Sequence, residues 1–194
     1  MSSSNENEKQ APEAETTSEA SEVKAKPKAA AKSEVVEAPP IYPGHYAQLL
    51  MANGFSPTPL GNDAVGIEMV SIQANELPAV AQCLRDNNAA QFDLLLSVSG
   101  VDWKDRLEAV YHLYSTKSFQ KMVLKVTAVD DKIPSVVSVW QTADWHERET
   151  YDLFGIIFEG HPNLKRILMP SDWIGFPMRK DYKVDDPRLV WNER

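Results

Sequence analysis

The side chains best suited to chemistry lie together in one stretch near the C-terminal end, residues 142–182. Charged and aromatic residues alternate there within a short distance, and glycines and prolines follow them: the group comprises Asp144, Trp145, Glu147, Arg148, Glu149, Tyr151, Asp152 and Phe154. A buried core segment would be simpler and more apolar, and a disordered segment would lack the aromatic residues. We therefore expect an ordered stretch that covers a surface and meets another molecule.

Metal-dependent catalysis is one chemistry that these residues could perform. His146 and Glu149 are three positions apart, a spacing found in carboxylate-bridged metal sites, but such sites need matching motifs from other helices. Only one such motif is visible, and the sequence contains neither an HExxH pattern nor a glycine-rich phosphate loop. An independent metal-dependent enzyme that uses His146, Glu147, Glu149 and His161 therefore stays open as the less favoured interpretation.

Composition argues against several other classes of function. The 194 residues carry a formal net charge of −8, so nucleic acid is not expected as a main partner. No run approaches the roughly 18 apolar residues that a membrane helix needs, and the polar start lacks the apolar core of a secretory signal. The single cysteine, Cys83, excludes an internal disulfide, and one thiolate cannot by itself hold an iron–sulfur cluster or a structural zinc. We expect a cytosolic protein that reaches a membrane only through a partner.

Composition also divides the chain into three parts. Residues 1–40 are rich in Ala, Glu, Lys, Ser and Pro and have few apolar side chains. They cannot offset the entropy lost on ordering, which predicts a disordered tail; a tether that folds on a partner is the alternative. Residues 41–140 are predicted to form an α+β domain. Residues 141–194 are predicted to form a helix and an extended C-terminal interface segment.

The apolar pattern of the central part predicts a sheet with helices packed against it. A helix near residues 46–53 and a second one with Leu77, Val80, Ala81 and Leu84 on one face follow from the helical period. Strands are predicted from the two-residue period over 66–73, 92–98, 109–115 and 121–129, with the last two in an antiparallel hairpin. Residues 56–63 are predicted to be loop and turn. The fold class is therefore an α+β two-layer sandwich with an antiparallel or mixed sheet and two packed helices.

A third helix is predicted over residues 143–154 of the charged stretch, with Gly155 beyond its end. Asp144, Arg148 and Asp152 recur every four residues, so they form one column on this helix. The column is either a solvated ladder of salt bridges or a surface that meets a partner, and the spacing alone does not decide between them.

The same stretch closely resembles the signature of a known family, the thirty-kilodalton subunit of respiratory complex I. The resemblance rests on the run Glu147-Arg148-Glu149, then Asp152-Leu153-Phe154, then His161 and Lys165-Arg166-Ile167. It is strong over about residues 134–182 and weaker in motif over 41–133, and it does not include the first forty residues. Members are called the C subunit, or the J subunit in the cyanobacterial and plastid enzymes.

The resemblance implies a non-catalytic structural subunit in the hydrophilic arm of complex I, a proton-pumping NADH-quinone oxidoreductase. The chain would dock on the D subunit, which holds the quinone site, with subunits B and I close by, and would support electron transfer from NADH or ferredoxin to quinone. It would bind no cofactor, because FMN, the iron–sulfur clusters and quinone belong to partner subunits. It would lie on the cytoplasmic side of the bacterial plasma membrane, or at the thylakoid in a cyanobacterium. A subunit of a related membrane-bound hydrogenase is the alternative within this resemblance.

The resemblance also implies which residues meet the partners, while it assigns no catalytic, cofactor-binding or metal-binding residue to this chain. The expected interface residues are Glu147, Arg148, Glu149, Tyr151, Asp152, Phe154, His161, Lys165, Arg166 and Arg179.

Overall fold

A five-stranded mixed sheet lies at the centre of the structure, a computed structural model that describes residues 42–183. The predicted tail, residues 1–40, lies outside the described residues. The strands are β1 (Thr58–Asn62), β2 (Glu68–Ile72), β3 (Leu94–Asp102), β4 (Leu107–Tyr114) and β5 (Lys121–Thr127), in the spatial order β1-β2-β5-β4-β3. Strands β2 and β5 run parallel, whereas the other neighbours are antiparallel. The sequence prediction of a mixed sheet with a β4–β5 hairpin is therefore confirmed.

One face of this sheet forms the hydrophobic core. Val70, Leu124, Tyr111 and Val98 follow one another across four strands and are each at most 3% exposed. The buried faces of helices α1 (His45–Ala52) and α2 (Leu77–Asp86) join the same apolar cluster. The apolar face predicted for the second helix is wholly buried. These contacts confirm the two-layer α+β arrangement.

Strand β1 corrects the prediction that residues 56–63 are loop and turn. Thr58 pairs with Ser71 and Pro59 with Val70, and the register then shifts before the end of the strand. Proline has no N–H to donate, so it is tolerated only where a strand is at the edge of a sheet, and β1 occupies such an edge. This segment does contain residues that are typical of turns, but the edge strand of the sheet accommodates them.

A second, two-stranded sheet flanks the helix of the charged stretch. Strands β6 (Lys132–Pro134) and β7 (Ile157–Glu159) pair in parallel, and helix α3 (Ala143–Phe154) connects them. The observed bounds of α3 are those predicted, and Gly155 ends the helix with φ +78°, in the left-handed region. Within residues 42–183, no helix has both the length and the apolar character needed to cross a membrane.

Candidate functional site

Helix α3 lies along the outer edge of β3. The Thr142 hydroxyl donates to the carbonyl of Leu95 at 3.3 Å, and the Thr150 hydroxyl donates to the carbonyl of Val98 at 3.4 Å. Edge strands expose unpaired backbone groups that invite association with other strands. Because α3 hydroxyls occupy two of these carbonyls, the helix protects the edge and is itself held in a fixed position on the domain.

Two glycines allow aromatic side chains to pack at the end of α3. A Cβ at Gly100 would overlap the ring of Phe154, and a Cβ at Gly155 would lie 2.5 Å from Cε2 of Phe176. The ring of Tyr151 meets that of Phe176 in an edge-to-face contact, with 6.2 Å between centroids. The chain after α3 therefore folds back onto the helix.

Glu147 is wholly buried and joins α3 to the chain that follows β6. Its carboxylate accepts hydrogen bonds from the hydroxyl of Ser135 at 2.6 Å and from the backbone N–H of Val136 at 2.8 Å. Burial raises the pKa of Glu147 to about 7, although these two hydrogen bonds act in the opposite direction. The structure thus buries this signature residue in the interior of the protein.

Asp152 is also wholly buried and fixes the path of the chain after α3. Its Oδ1 atom accepts a hydrogen bond from Nη1 of Arg166 at 2.8 Å. Its Oδ2 atom accepts three backbone N–H groups at 2.7–2.9 Å, those of Ile167, Leu168 and Met169. Burial raises the pKa of Asp152, but the hydrogen bonds outweigh burial and the net pKa is lowered. The carboxylate is therefore ionised at neutral pH and holds the segment to the helix.

Two arginines lie close to the ring of Phe176. The Cζ atoms of Arg166 and Arg179 each lie 5.2 Å from the ring centroid. Arg179 also donates from Nε to the carbonyl of Phe154 at 2.6 Å, and its Nη2 atom pairs with Asp131 at 2.8 Å. Both guanidinium groups are thus used for contacts within the chain.

His161 pairs with the first acid of the predicted column. Its side chain is fully buried, and Nδ1 accepts the N–H of Asn163 at 3.0 Å, so Nε2 carries the hydrogen. Nε2 lies 3.1 Å from Oδ1 of Asp144 and 3.2 Å from its backbone carbonyl. This contact fixes the turn after β7 against the start of α3.

The predicted column on α3 is therefore not a ladder of salt bridges. Asp144 contacts His161 and Asp152 contacts Arg166, while Arg148, the middle member, pairs with neither acid. Arg148 instead donates from Nε to the carbonyl of Lys165 at 3.2 Å. The three side chains share one side of the helix, but each contacts a different part of the chain that folds over it.

The expected interface residues fall into three groups by exposure. Glu147, Asp152 and the His161 ring are buried within the chain, and Arg166 and Arg179 are mostly covered by it. The remaining five are half-buried or exposed: Arg148, Glu149, Tyr151, Phe154 and Lys165. Contact with a partner stays a prediction, and the exposed members are the ones that could make it directly.

Large exposed apolar side chains form part of this region, and the expected interface residues do not include them. The exposed fraction is 67% for Trp145, 56% for Leu168 and Met178, and 82% for Ile174. Trp145 was already visible in the sequence as an aromatic residue among the acids of the predicted helix. Leu168 and Ile174 lie in irregular segments, where the sequence has no period that separates inner from outer positions.

The structure does not gather the residues of the metal-enzyme interpretation into one site. Glu147 contacts Ser135, whereas His161 contacts Asp144. Among residues 42–183, no group of three or more His, Cys, Asp or Glu side chains is placed to hold a metal ion. The side chains in this region instead contact other segments of the same chain. The outer side of these segments forms a surface.

Sequence comparison relates the chain to a known protein family. The family profile described as "Respiratory-chain NADH dehydrogenase, 30 Kd subunit" matches residues 70–188. The C subunit of NADH-quinone oxidoreductase from Mycobacterium sp. is 44% identical over 160 residues, which cover 74% of this chain and 68% of that protein. The protein of the same name from Streptomyces coelicolor is 54% identical over 119 residues, covering 58% and 47% respectively. The chain thus spans between about half and two thirds of these relatives.

Solved structures show the same fold. A trypsin-resistant fragment of Nqo5 superimposes with a TM-score of 0.50 and 27% identity, covering 60% of this chain and 95% of the fragment. A chain of the membrane-bound sulfane sulfur reductase, an archaeal respiratory membrane complex, superimposes with a TM-score of 0.55 over 71% of this chain and 82% of that chain. Its identity of 23% supports similarity of fold alone.

Proposed function

Because this chain belongs to the family of the 30 Kd subunit of respiratory-chain NADH dehydrogenase, we propose that it is a structural subunit of NADH-quinone oxidoreductase with no catalytic site of its own. One observation carries the proposal. The charged signature residues that could have formed a reaction centre are used to fasten α3 to the chain on both sides of it: Glu147 accepts hydrogen bonds from residues 135–136 before the helix, and Asp152 accepts them from Arg166 and Ile167 after it. This arrangement builds a rigid outer surface.

The chemistry of that surface fits a protein partner. Trp145, Leu168, Ile174 and Met178 are more than half exposed, and aromatic residues and methionine are enriched in protein interfaces. The segments that carry them are held by a hydrogen bond that Asp152 accepts and one that Arg179 donates, so little ordering remains to be done on binding. In this proposal the partner is the D subunit, which holds the quinone site, with subunits B and I close by.

The remaining parts of the proposal concern the role of the chain within the whole complex. Electrons pass from NADH, or from ferredoxin in photosynthetic versions, to quinone through FMN and iron–sulfur clusters that partner subunits hold. This chain binds none of these groups and keeps the electron-transfer module in register. It associates with the cytoplasmic side of the membrane through its partners.

Purification of the native complex through a tag on this full-length chain tests the proposal. We expect subunits D, B and I among the companions, and quinone reductase activity that copurifies with the assembly. A chain that purifies alone, with about one metal ion per molecule and an activity of its own, would overturn the proposal. Companions characteristic of a hydrogenase would assign the chain to that complex instead.

A further inference from the structure

Arg148 differs from every other arginine that the structure describes. Five arginines lie within residues 42–183, and four of them have a carboxylate oxygen 2.8 Å from a guanidinium nitrogen: Arg85, Arg106, Arg166 and Arg179. Arg148 forms no ion pair with any described residue. Its hydrogen bond within this part of the chain is the one from Nε to the carbonyl of Lys165. A guanidinium has five N–H donors arranged to match a carboxylate, so most of this capacity is unused.

The surroundings of Arg148 combine positive charge with an exposed aromatic ring. Its guanidinium carbon lies 5.9 Å from the ring centroid of Trp145, a side chain that is 67% exposed. Lys165 is exposed, and it too lacks an ion pair within residues 42–183. These three residues form the Trp145–Arg148–Lys165 patch. It presents two cations in a chain whose formal net charge is −8.

A groove continues from this patch between α3 and the chain that folds over it. Its walls combine aromatic and aliphatic side chains with cations: Tyr151, Leu164, Lys165, Arg166, Met169 and Ser171 line it. Lys165 therefore belongs both to the patch and to the groove. A ligand that fits both has a negative group for Arg148 and Lys165, and an apolar part for the groove and the Trp145 ring.

We propose that the Trp145–Arg148–Lys165 patch binds an acidic segment of a protein partner in the assembled complex. One carboxylate of that segment pairs with the free edge of the Arg148 guanidinium, and an adjacent apolar side chain packs against Trp145. Tryptophan, tyrosine and arginine dominate the residues that carry binding energy in protein interfaces. The inference rests on the proposed function, and it moves the expected contact from the whole signature to these three residues.

The chain supplies its own matched control. Trp103 is 46% exposed, and Arg106 lies over its ring with 5.4 Å between Cζ and the centroid. Arg106 differs from Arg148 because it is already paired with Asp105 at 2.8 Å, and Lys180 also lies 5.9 Å from the centroid of the Trp103 ring. If an exposed tryptophan beside an arginine were sufficient for docking, both sites would respond equally to mutation.

The first test compares charge reversals in the full-length chain, expressed in place of the native one and purified with the complex. We expect Arg148→Glu and Lys165→Glu each to reduce copurification with the complex by more than about tenfold, and Arg106→Glu to leave it unchanged. Circular dichroism and the unfolding midpoint of each purified chain must match the wild type. If the wild-type chain fails to copurify, the proposed function fails. If the wild type and both patch variants copurify equally, this inference alone fails.

The second test identifies the partner segment. Benzoylphenylalanine, a photocrosslinker, is introduced at the position of Trp145, and at that of Trp103 as the control, and the native complex is irradiated. We expect the first to crosslink to a segment of another subunit that contains Asp or Glu, and reversal of that acid to Lys to restore copurification of Arg148→Glu. Crosslinks to lipid, to a second copy of this chain, or to a segment without acids would overturn the inference, as would failure of the charge exchange.

Discussion

Asp152 and Arg166 form an ion pair, with 2.8 Å between Oδ1 and Nη1, that fastens the last turn of α3 to the chain folding over it. The Asp152 side chain is 0% exposed and the Arg166 side chain 16% exposed. The same carboxylate also accepts the backbone N–H groups of residues 167–169. One side chain therefore determines the position of a segment that has no regular secondary structure of its own.

Removal of this carboxylate is expected to destabilise the chain strongly. Asp152→Ala leaves the Arg166 guanidinium without its counter-charge and three backbone donors without an acceptor, so the free energy of unfolding should fall by about 3–5 kcal/mol. Asp152→Asn keeps one acceptor oxygen and should be intermediate. Urea denaturation of the purified chain measures the difference, with Asp105→Ala as the control because that aspartate is 69% exposed. A loss below about 1 kcal/mol in Asp152→Ala would contradict the assigned role.

Glu147 should give the stability of the chain a pH dependence that a glutamine variant lacks. Its pKa rises from 4.5 to about 7 on burial, so the folded state holds this proton more tightly than the unfolded state. The group therefore stabilises the fold fully below pH 4.5, and the contribution is lost as the pH rises through about 7. Since one pH unit corresponds to about 1.4 kcal/mol, the loss reaches about 3 kcal/mol.

Glu147→Gln keeps a carbonyl oxygen for the N–H of Val136 and carries no charge, so it should equal or exceed the wild type in stability at neutral pH. Denaturation curves across this pH interval, for the wild type and the variant, provide the comparison. Glu149→Gln, which removes a half-buried acid from the same helix, controls for the loss of one negative charge. Equal slopes for the wild type and Glu147→Gln would show that Glu147 does not titrate in this interval.

Most regular elements could be predicted from the sequence because they have a local signal, whereas β1 was predicted as loop and turn because its proline and glycine are typical of turns. The bounds of α3 follow from its helical period and from Gly155, and the strand that contains Val70 follows from the two-residue period of residues 66–73. No such local signal predicts which residues Glu147 and Asp152 contact. Their partners, residues 135–136 and 166–169, lie in irregular segments whose position depends on how α3 packs against β3. The helical period predicts which side chains share one side of a helix, but it does not predict which segment of the chain packs against that side.

Gly155 is expected to tolerate a side chain much less well than Gly54, although both have a positive φ. Nothing lies within 4 Å of a Cβ built at Gly54, where φ is +86°, so Gly54→Ala should cost only the conformational strain, about 1 kcal/mol. At Gly155 the Cβ would also meet the Phe176 ring at 2.5 Å, which adds about 1–3 kcal/mol.

A double-mutant cycle separates the two contributions at Gly155. Phe176→Ala removes the ring that a Cβ at Gly155 would meet, so Gly155→Ala should destabilise that background by no more than Gly54→Ala destabilises the wild type. Unfolding free energies of the single and double variants supply the cycle. Purely additive effects of Gly155→Ala and Phe176→Ala would show that the ring moves aside without loss of stability.

Lys165 and Arg166 are adjacent cations that differ in exposure, and charge reversal should distinguish them. Lys165 is exposed, whereas Arg166 pairs with Asp152 and donates from Nη2 to the carbonyl of Gly175 at 2.9 Å. Arg166→Glu would place a second carboxylate beside the buried one, so we expect a loss of about 3–5 kcal/mol in the free energy of unfolding and earlier cleavage by trypsin after Lys165. Lys165→Glu should leave the unfolding midpoint unchanged.

The two variants should be depleted from the assembled complex for different reasons. Arg166→Glu should lower the abundance of the chain itself, because the segment that carries the docking surface is no longer held to α3. Lys165→Glu should leave a stable chain that is not incorporated. Turnover per assembled complex should be unchanged in both, because no electron passes through this chain in the proposed function. Normal assembly with turnover abolished would instead give this chain a direct part in the chemistry.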